Sequence, residues 1–208
     1  MSDTEGRKSV SDSGEHELFE KAKAGNRTAF DRLQEILDPS VRRFVRRLVG
    51  ISESEDDIVQ DAFLALYMNL ERLESSEHLR PFLFRVVRNR CYDTLRRRGR
   101  FQFVPLDVAA EDLAVAPSFL TDRRKQPDEQ LHWRLLYAEV QKAIDRLPEI
   151  QRQAIILYCE ENLTYAQIAE AMGTDIGTIK SRIFYGRKNL RNLLKPEILE
   201  ALGIEKEN

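Results

Sequence analysis

A chain of 208 residues with 42% hydrophobic and 33% charged side chains can bury one large core or two small ones. No apolar run approaches the roughly 18 residues of a membrane span, and two distant cysteines (Cys91, Cys159) with three scattered histidines argue against a disulfide framework or a metal knuckle. The net charge of −2 speaks against a uniformly basic nucleic-acid binder, but it is the sum of opposed blocks. Residues 1–20 and 50–77 are acidic. Residues 80–100 hold eight arginines against Asp93, residues 176–195 hold six bases and no acid, and the tail from Pro196 is acidic again.

Sparse Gly and Pro beside abundant Leu, Arg, Glu and Ala indicate an all-α protein. Residues 1–15 are Ser/Asp/Gly-rich without apolar periodicity and are expected to be a disordered tail. Helical spacing starts near Glu17 with Leu18, Phe19 and Ala22, breaks at Gly25-Asn26, and resumes with Ala29, Phe30, Leu33 and Leu37. Pro39-Ser40 reads as a boundary before a further helix carrying Val41, Phe44, Val45 and Leu48. Ser54, three residues before Asp57, reads as an acidic capping box, and Ile58, Ala62, Phe63, Leu66 and Leu70 give the next helix its apolar stripe. A helix over about 81–97 follows, with a dense arginine face. Cys91 is expected to be a small buried residue.

Residues 101–130, with Pro105, Pro117 and Pro127, read as a flexible linker between two small helical domains, 16–100 and 131–195, with an acidic tail at 196–208. The second domain starts with a helix over 131–146 and another after Leu147-Pro148, where Pro suits a first turn.

The segment 164–194 is the most informative. Thr164 and Gln167 form a capping box, Gly173 supplies a left-handed helix end, and Asp175 can cap a second helix with Ile176, Ile179, Ile183 and Leu190 inward. Small Ala169, then Gly173, then Ile179 have the spacing of a helix-turn-helix. The second helix offers Thr178, Lys180, Ser181, Arg182, Tyr185 and Arg187, donors able to reach base edges and phosphates in a major groove.

The run Leu163-Thr164-Tyr165-Ala166-Gln167-Ile168-Ala169 with Gly177-Thr178-Ile179-Lys180-Ser181-Arg182 resembles region 4 of bacterial RNA polymerase sigma factors, of the compact extracytoplasmic-function (ECF) type. The N-terminal half is similar to region 2 in three places: Lys21–Phe30, Asp57-Ile58-Val59-Gln60-Asp61-Ala62-Phe63, and Phe82–Asn89 continuing through Asp93 to Arg98. Phe82 departs from the Trp common there, and Thr174 stands where an apolar residue is usual.

The resemblance implies a factor that binds core RNA polymerase through its β′ and β subunits. Asp57, Val59, Gln60, Asp61 and Phe63 would dock on the β′ coiled coil. The arginine-rich helix and its preceding loop would hold the melted −10 element, with Asn89, Arg90, Tyr92 and Asp93 at a base pocket. Arg85, Arg88, Arg96, Arg97 and Arg98 would lie on the backbone. Thr178, Lys180, Ser181, Arg182, Tyr185 and Arg187 would engage the −35 element, and a cognate anti-sigma factor is expected. Neither a phosphate loop, a nucleophile elbow nor a metal cluster is legible, so no catalytic residue, cofactor or metal is expected, and the location is expected to be cytoplasmic. A free-standing repressor would account for 164–194 but leave the acidic helix and the arginine block unexplained.

Overall fold

The computed structural model describes residues 10–50, 52, 54–99 and 127–202, all of their regular structure helical. The elements are α1 (Val10–Lys23), α2 (Arg27–Val49), α3 (Ser54–Asn69), α4 (Leu79–Arg97), α5 (Pro127–Asp145), α6 (Glu149–Cys159), α7 (Tyr165–Met172), α8 (Ile176–Leu193) and α9 (Pro196–Ala201). Two single 3-10 turns, Leu70–Arg72 and Ser76–His78, lead from α3 into α4. They fall into two compact units, one holding α1–α4 with α7, the other α5, α6, α8 and α9. The expected linker lies largely outside the described residues.

The first unit is built on α2. Its side chains Phe30, Leu33, Leu37, Val41, Phe44, Val45 and Leu48 are buried along one stripe that runs straight through Pro39. The expected boundary at Pro39 is therefore absent. A proline inside a helix costs about 3 kcal/mol. Burying a Leu or Val stabilises by about 1.5–3 kcal/mol each, and Leu37 and Val41, on either side, are 1% and 0% exposed. The packing of the stripe outweighs the lost hydrogen bond. Across from it α4 buries Leu79, Leu83, Phe84 and Val87, and the Phe44 and Phe84 rings meet edge to face at 5.2 Å. Cys91 is fully buried beside them, as its size suggests.

Two further starts differ from the sequence reading. Helix α1 begins at Val10, inside the stretch expected to be disordered, and the rest of that stretch lies outside the described residues. Ser54 falls within α3 rather than before it, and its hydroxyl accepts from Arg98. Helix α7 lies against α4, with Glu170 Oε2 2.8 Å from His78 Nδ1 and Gln167 donating to the Glu77 carbonyl.

In the second unit α6 contributes Ala154, Ile155, Ile156 and Leu157, and α8 contributes Ile179, Ile183 and Leu190. The two helices touch where Gly186 of α8 meets Ile155. Ile176, expected to point inward, is 46% exposed at the start of α8. Among the described residues no helix is long and apolar enough to cross a membrane.

Candidate functional site

The start of α3 is fastened to α2 by a carboxylate–guanidinium network. Arg42 reaches Asp38 (2.8 Å), Glu55 (3.3 Å) and Asp56 (2.6 Å), and Arg46 reaches Glu55 at 2.7 Å. The Arg46 hydrogen bond, helped by Arg42, holds the buried Glu55 carboxyl below its ordinary range, although burial alone would raise it. Asp56 and Asp38 in turn push the Arg42 guanidinium further up. Acids in a first helical turn are favoured by the helix dipole as well. Part of the acidity of 53–61 is thus spent inside the protein.

Beyond that network, α3 has two faces. Ile58, Val59, Ala62, Phe63 and Leu66 go inward. Asp57, Gln60 and Asp61 are exposed, and the same outward arc continues with Leu64 (58% exposed), Tyr67 (55%) and Met68 (72%). Positions 57, 60, 61, 64, 67 and 68 follow helical spacing, so acidic, amide and apolar groups form one continuous stripe. The Tyr67 ring is steadied edge to face against Phe30 at 5.0 Å.

Helix α4 runs beside α3 and carries the arginines. Arg85 lies over the Phe82 ring at 5.5 Å and Arg88 over the Tyr92 ring at 4.7 Å. Such stacking restrains a long cationic arm before any ligand arrives. Asn89 and Arg90 are exposed, Asp93 pairs with Arg96 at 3.0 Å, and Arg96, Arg97 and Arg98 are exposed at the helix end. Arg90 also meets Asp61 of α3 at 3.4 Å, across the seam between the acidic and basic helices.

Toward the C-terminus, Thr164 accepts from the Gln167 amide while the Gln167 side chain accepts from the Thr164 amide, the reciprocal cap expected from the sequence. Gly173 ends α7 at φ 64°, where a side chain would be strained. On α8, Lys180 is exposed and Thr178, Arg182 and Tyr185 are half-buried. Ser181 donates to the Gly177 carbonyl of its own helix, which leaves its oxygen as an acceptor for an outside group. Arg187 lies over the Tyr158 ring of α6 at 5.0 Å. Among the described residues no cluster of His, Cys, Asp or Glu could hold a metal ion.

Two family descriptions match this chain: Sigma-70 region 2 over residues 33–101, and Sigma-70, region 4 over residues 137–190. The chain belongs to the sigma-70 family. Its relatives place it among the ECF sigma factors. It is 32% identical to ECF RNA polymerase sigma factor EcfG of Rhodopseudomonas palustris, over 79% of this chain and 84% of that one. It is 30% identical to the RNA polymerase sigma-H factor of Pseudomonas aeruginosa, over 90% and 97%. Among solved structures it is similar to the sigma factor RpoE of Bartonella quintana, determined in complex with the anti-sigma factor NepR. That likeness has 29% identity and a TM-score of 0.56, and covers 81% of this chain and 98% of that one. As a sigma factor the chain binds core RNA polymerase and directs it to promoter DNA.

Two of the residues expected to dock on polymerase are buried in this sigma factor. Val59 and Phe63 are each 3% exposed and pack α3 onto its core. Leu64, Tyr67 and Met68, exposed on the same arc as Asp57, Gln60 and Asp61, were not among the residues expected there. The signal was available, because 58, 62, 63, 66 and 70 already complete an inward stripe. Apolar residues at 64, 67 and 68 were therefore surplus to the core.

Proposed function

We propose that the outward stripe of α3, Asp57-Gln60-Asp61-Leu64-Tyr67-Met68, is the surface on which this sigma factor docks core polymerase, through the β′ coiled coil that the resemblance implies. We also propose that the exposed face of α4 with its preceding loop holds the opened −10 element, and that α8 engages the −35 duplex. The observation that carries the reading is the seam between α3 and α4. One helix presents acid and apolar area to a protein, and its neighbour presents guanidinium groups to phosphate and unstacked bases. On α4, Arg85, Arg88, Arg96 and Arg97 serve the backbone, while Asn89, Arg90 and Asp93 stand where base edges would come. On α8, Lys180, Arg182 and Arg187 position the duplex, and Thr178, Ser181 and Tyr185 read it.

The chemistry of initiation belongs to the polymerase, and this chain contributes no catalytic group. It works in the cytoplasm with the polymerase. An anti-sigma factor competes for the α3 stripe; support comes from the Bartonella quintana relative, solved with such an inhibitor, and from the apolar area that the stripe leaves in water.

Tyr67→Ala should weaken core binding by about tenfold or more, the size of a central aromatic anchor, and Gln60→Ala by less, with both variants folded. Fluorescence titration of labelled core polymerase measures this. Unchanged affinity in Tyr67→Ala would move docking away from α3. Asp61→Ala is a poorer probe of docking, because it also removes the partner of Arg90. Tight sequence-selective binding of the free chain to duplex −35 DNA, with initiation indifferent to it, would instead favour a repressor.

A further inference from the structure

Helix α1 lies outside the stretch matched as Sigma-70 region 2, which starts at residue 33. One of its faces nevertheless grips the connection that leads into α4. Glu15, His16, Phe19, Ala22 and Lys23 share that face at helical spacing. Phe19 is fully buried and Ala22 nearly so, and the polar members reach out at three places. Lys23 Nζ donates to the Leu73 carbonyl. His16 Nδ1 and Ser76 Oγ share a hydrogen bond of 2.8 Å. Glu15 takes the Arg80 guanidinium in a fork, Nε at 2.9 Å from one carboxylate oxygen and Nη2 at 2.7 Å from the other.

The last contact is the most telling. Arg80 opens the arginine block of α4, where its charge could have served DNA, yet it is turned onto a carboxylate that is only 9% exposed. A forked guanidinium–carboxylate pair fixes orientation as well as distance. Leu73 and Ser76 lie in the connection and Arg80 in the first turn of α4, so α1 fixes the connection at two points and the start of α4 at a third.

We propose that α1 is a positioning element for the −10 grip: Glu15, His16 and Lys23 set the conformation of the 73–80 connection, and through it the selectivity among −10 sequences. The inference rests on the reading that α4 and its preceding loop hold the −10 strand. Glu15, His16 and Lys23 touch no nucleic acid themselves. They act by holding Arg80, Ser76 and the Leu73 carbonyl in place.

The test uses the full chain assembled with core polymerase. Initiation is compared on one promoter that the holoenzyme serves and on versions of it with single −10 substitutions. Glu15→Gln keeps the shape and removes the charge; His16→Ala removes an exposed contact. Each should lower the ratio of initiation on the intact promoter to that on the substituted ones by about two- to tenfold, the range of one lost hydrogen bond. Core affinity and dependence on the −35 element should stay as they were. Glu15→Asp, which retains the carboxylate, should recover part of the ratio. A ratio unchanged in both variants overturns the proposal. So does an equal loss of initiation on every promoter, which would mark α1 as a support of stability alone. If the unmodified holoenzyme shows no −10 dependence, the reading of α4 fails and the role of α1 falls with it; −10 dependence that both variants leave unchanged overturns the role of α1 alone.

Discussion

Gly186 shows how much one hydrogen atom in place of a methyl group can decide. It sits in the middle of α8, where replacing Gly by Ala ordinarily gains about 1 kcal/mol of helix propensity. A Cβ at this position would lie 2.9 Å from Ile155 Cγ1 and 3.2 Å from Ile155 Cδ1. Ile155 is 1% exposed, so it can shift only against packed neighbours, and the overpacking cost of about 1–3 kcal/mol should exceed the gain. Gly186→Ala should therefore lower the urea midpoint of the second unit, and a raised midpoint would show that α6 and α8 separate more easily than this contact implies. A second residue-scale expectation follows from Glu55. Its carboxyl titrates below its ordinary range in the folded state, so the stabilisation is complete above the unfolded value and is lost as pH falls through the folded one. The stability of the first unit should decline on acidification below about pH 4.5, the ordinary value for Glu. Glu55→Gln should flatten that decline at the cost of stability at neutral pH. Thermal melts between pH 3 and 7, a range set by the ordinary carboxylate values, would decide; identical pH profiles would remove Arg42–Glu55–Arg46 from the account.

Among the helices, what the sequence revealed and what it hid separate by the range of the interaction. Periodicity is local, so the inward stripe of α2, the reciprocal cap of α7 and the glycine that ends it could all be read from neighbouring residues. The break expected at Pro39 failed because a local penalty was weighed without the burial on both sides of it. The start of α1 failed for a related reason. Residues 10–16 have weak apolar spacing, and Glu15 is held by Arg80, 65 positions away, which no window along the chain can see. The candidate site divides in the same way. The arginines of α4 and the polar face of α8 are evident as charge without acid. The inward stripe at 58, 62, 63, 66 and 70 already put Phe63 on the core side and Leu64, Tyr67 and Met68 on the outer one, whereas the burial of Val59 depends on where α2 lies against α3. Stacking of Arg88 on Tyr92 and of Arg187 on Tyr158 likewise depends on rotamers, and it shows both arginines as braced arms rather than loose ones.

For the whole molecule, the near-neutral total charge conceals two cationic helices, α4 and α8, and promoter affinity should reveal them through its salt dependence. Each phosphate neutralised by an arginine releases counterions and adds about 1 to the slope of log affinity against log salt. Arg88→Ala and Arg182→Ala, made in the holoenzyme, should each lower that slope by about 1, and together by about 2. In the proposed assignment the two grips sit on different helices and bind different promoter elements, so their free-energy losses should add to within about 0.5 kcal/mol. The elements themselves provide the control. A phosphate contact carries no sequence information, so on a promoter with a scrambled −35 element Arg182→Ala and Arg88→Ala should each cost as much as before, whereas Tyr185→Ala, placed to read bases, should lose little. Filter binding of holoenzyme to both promoters across a salt series measures all of this. If the double variant were no weaker than the poorer single one, the grips would be failing at one shared step, and the separate assignments of α4 and α8 would have to be given up.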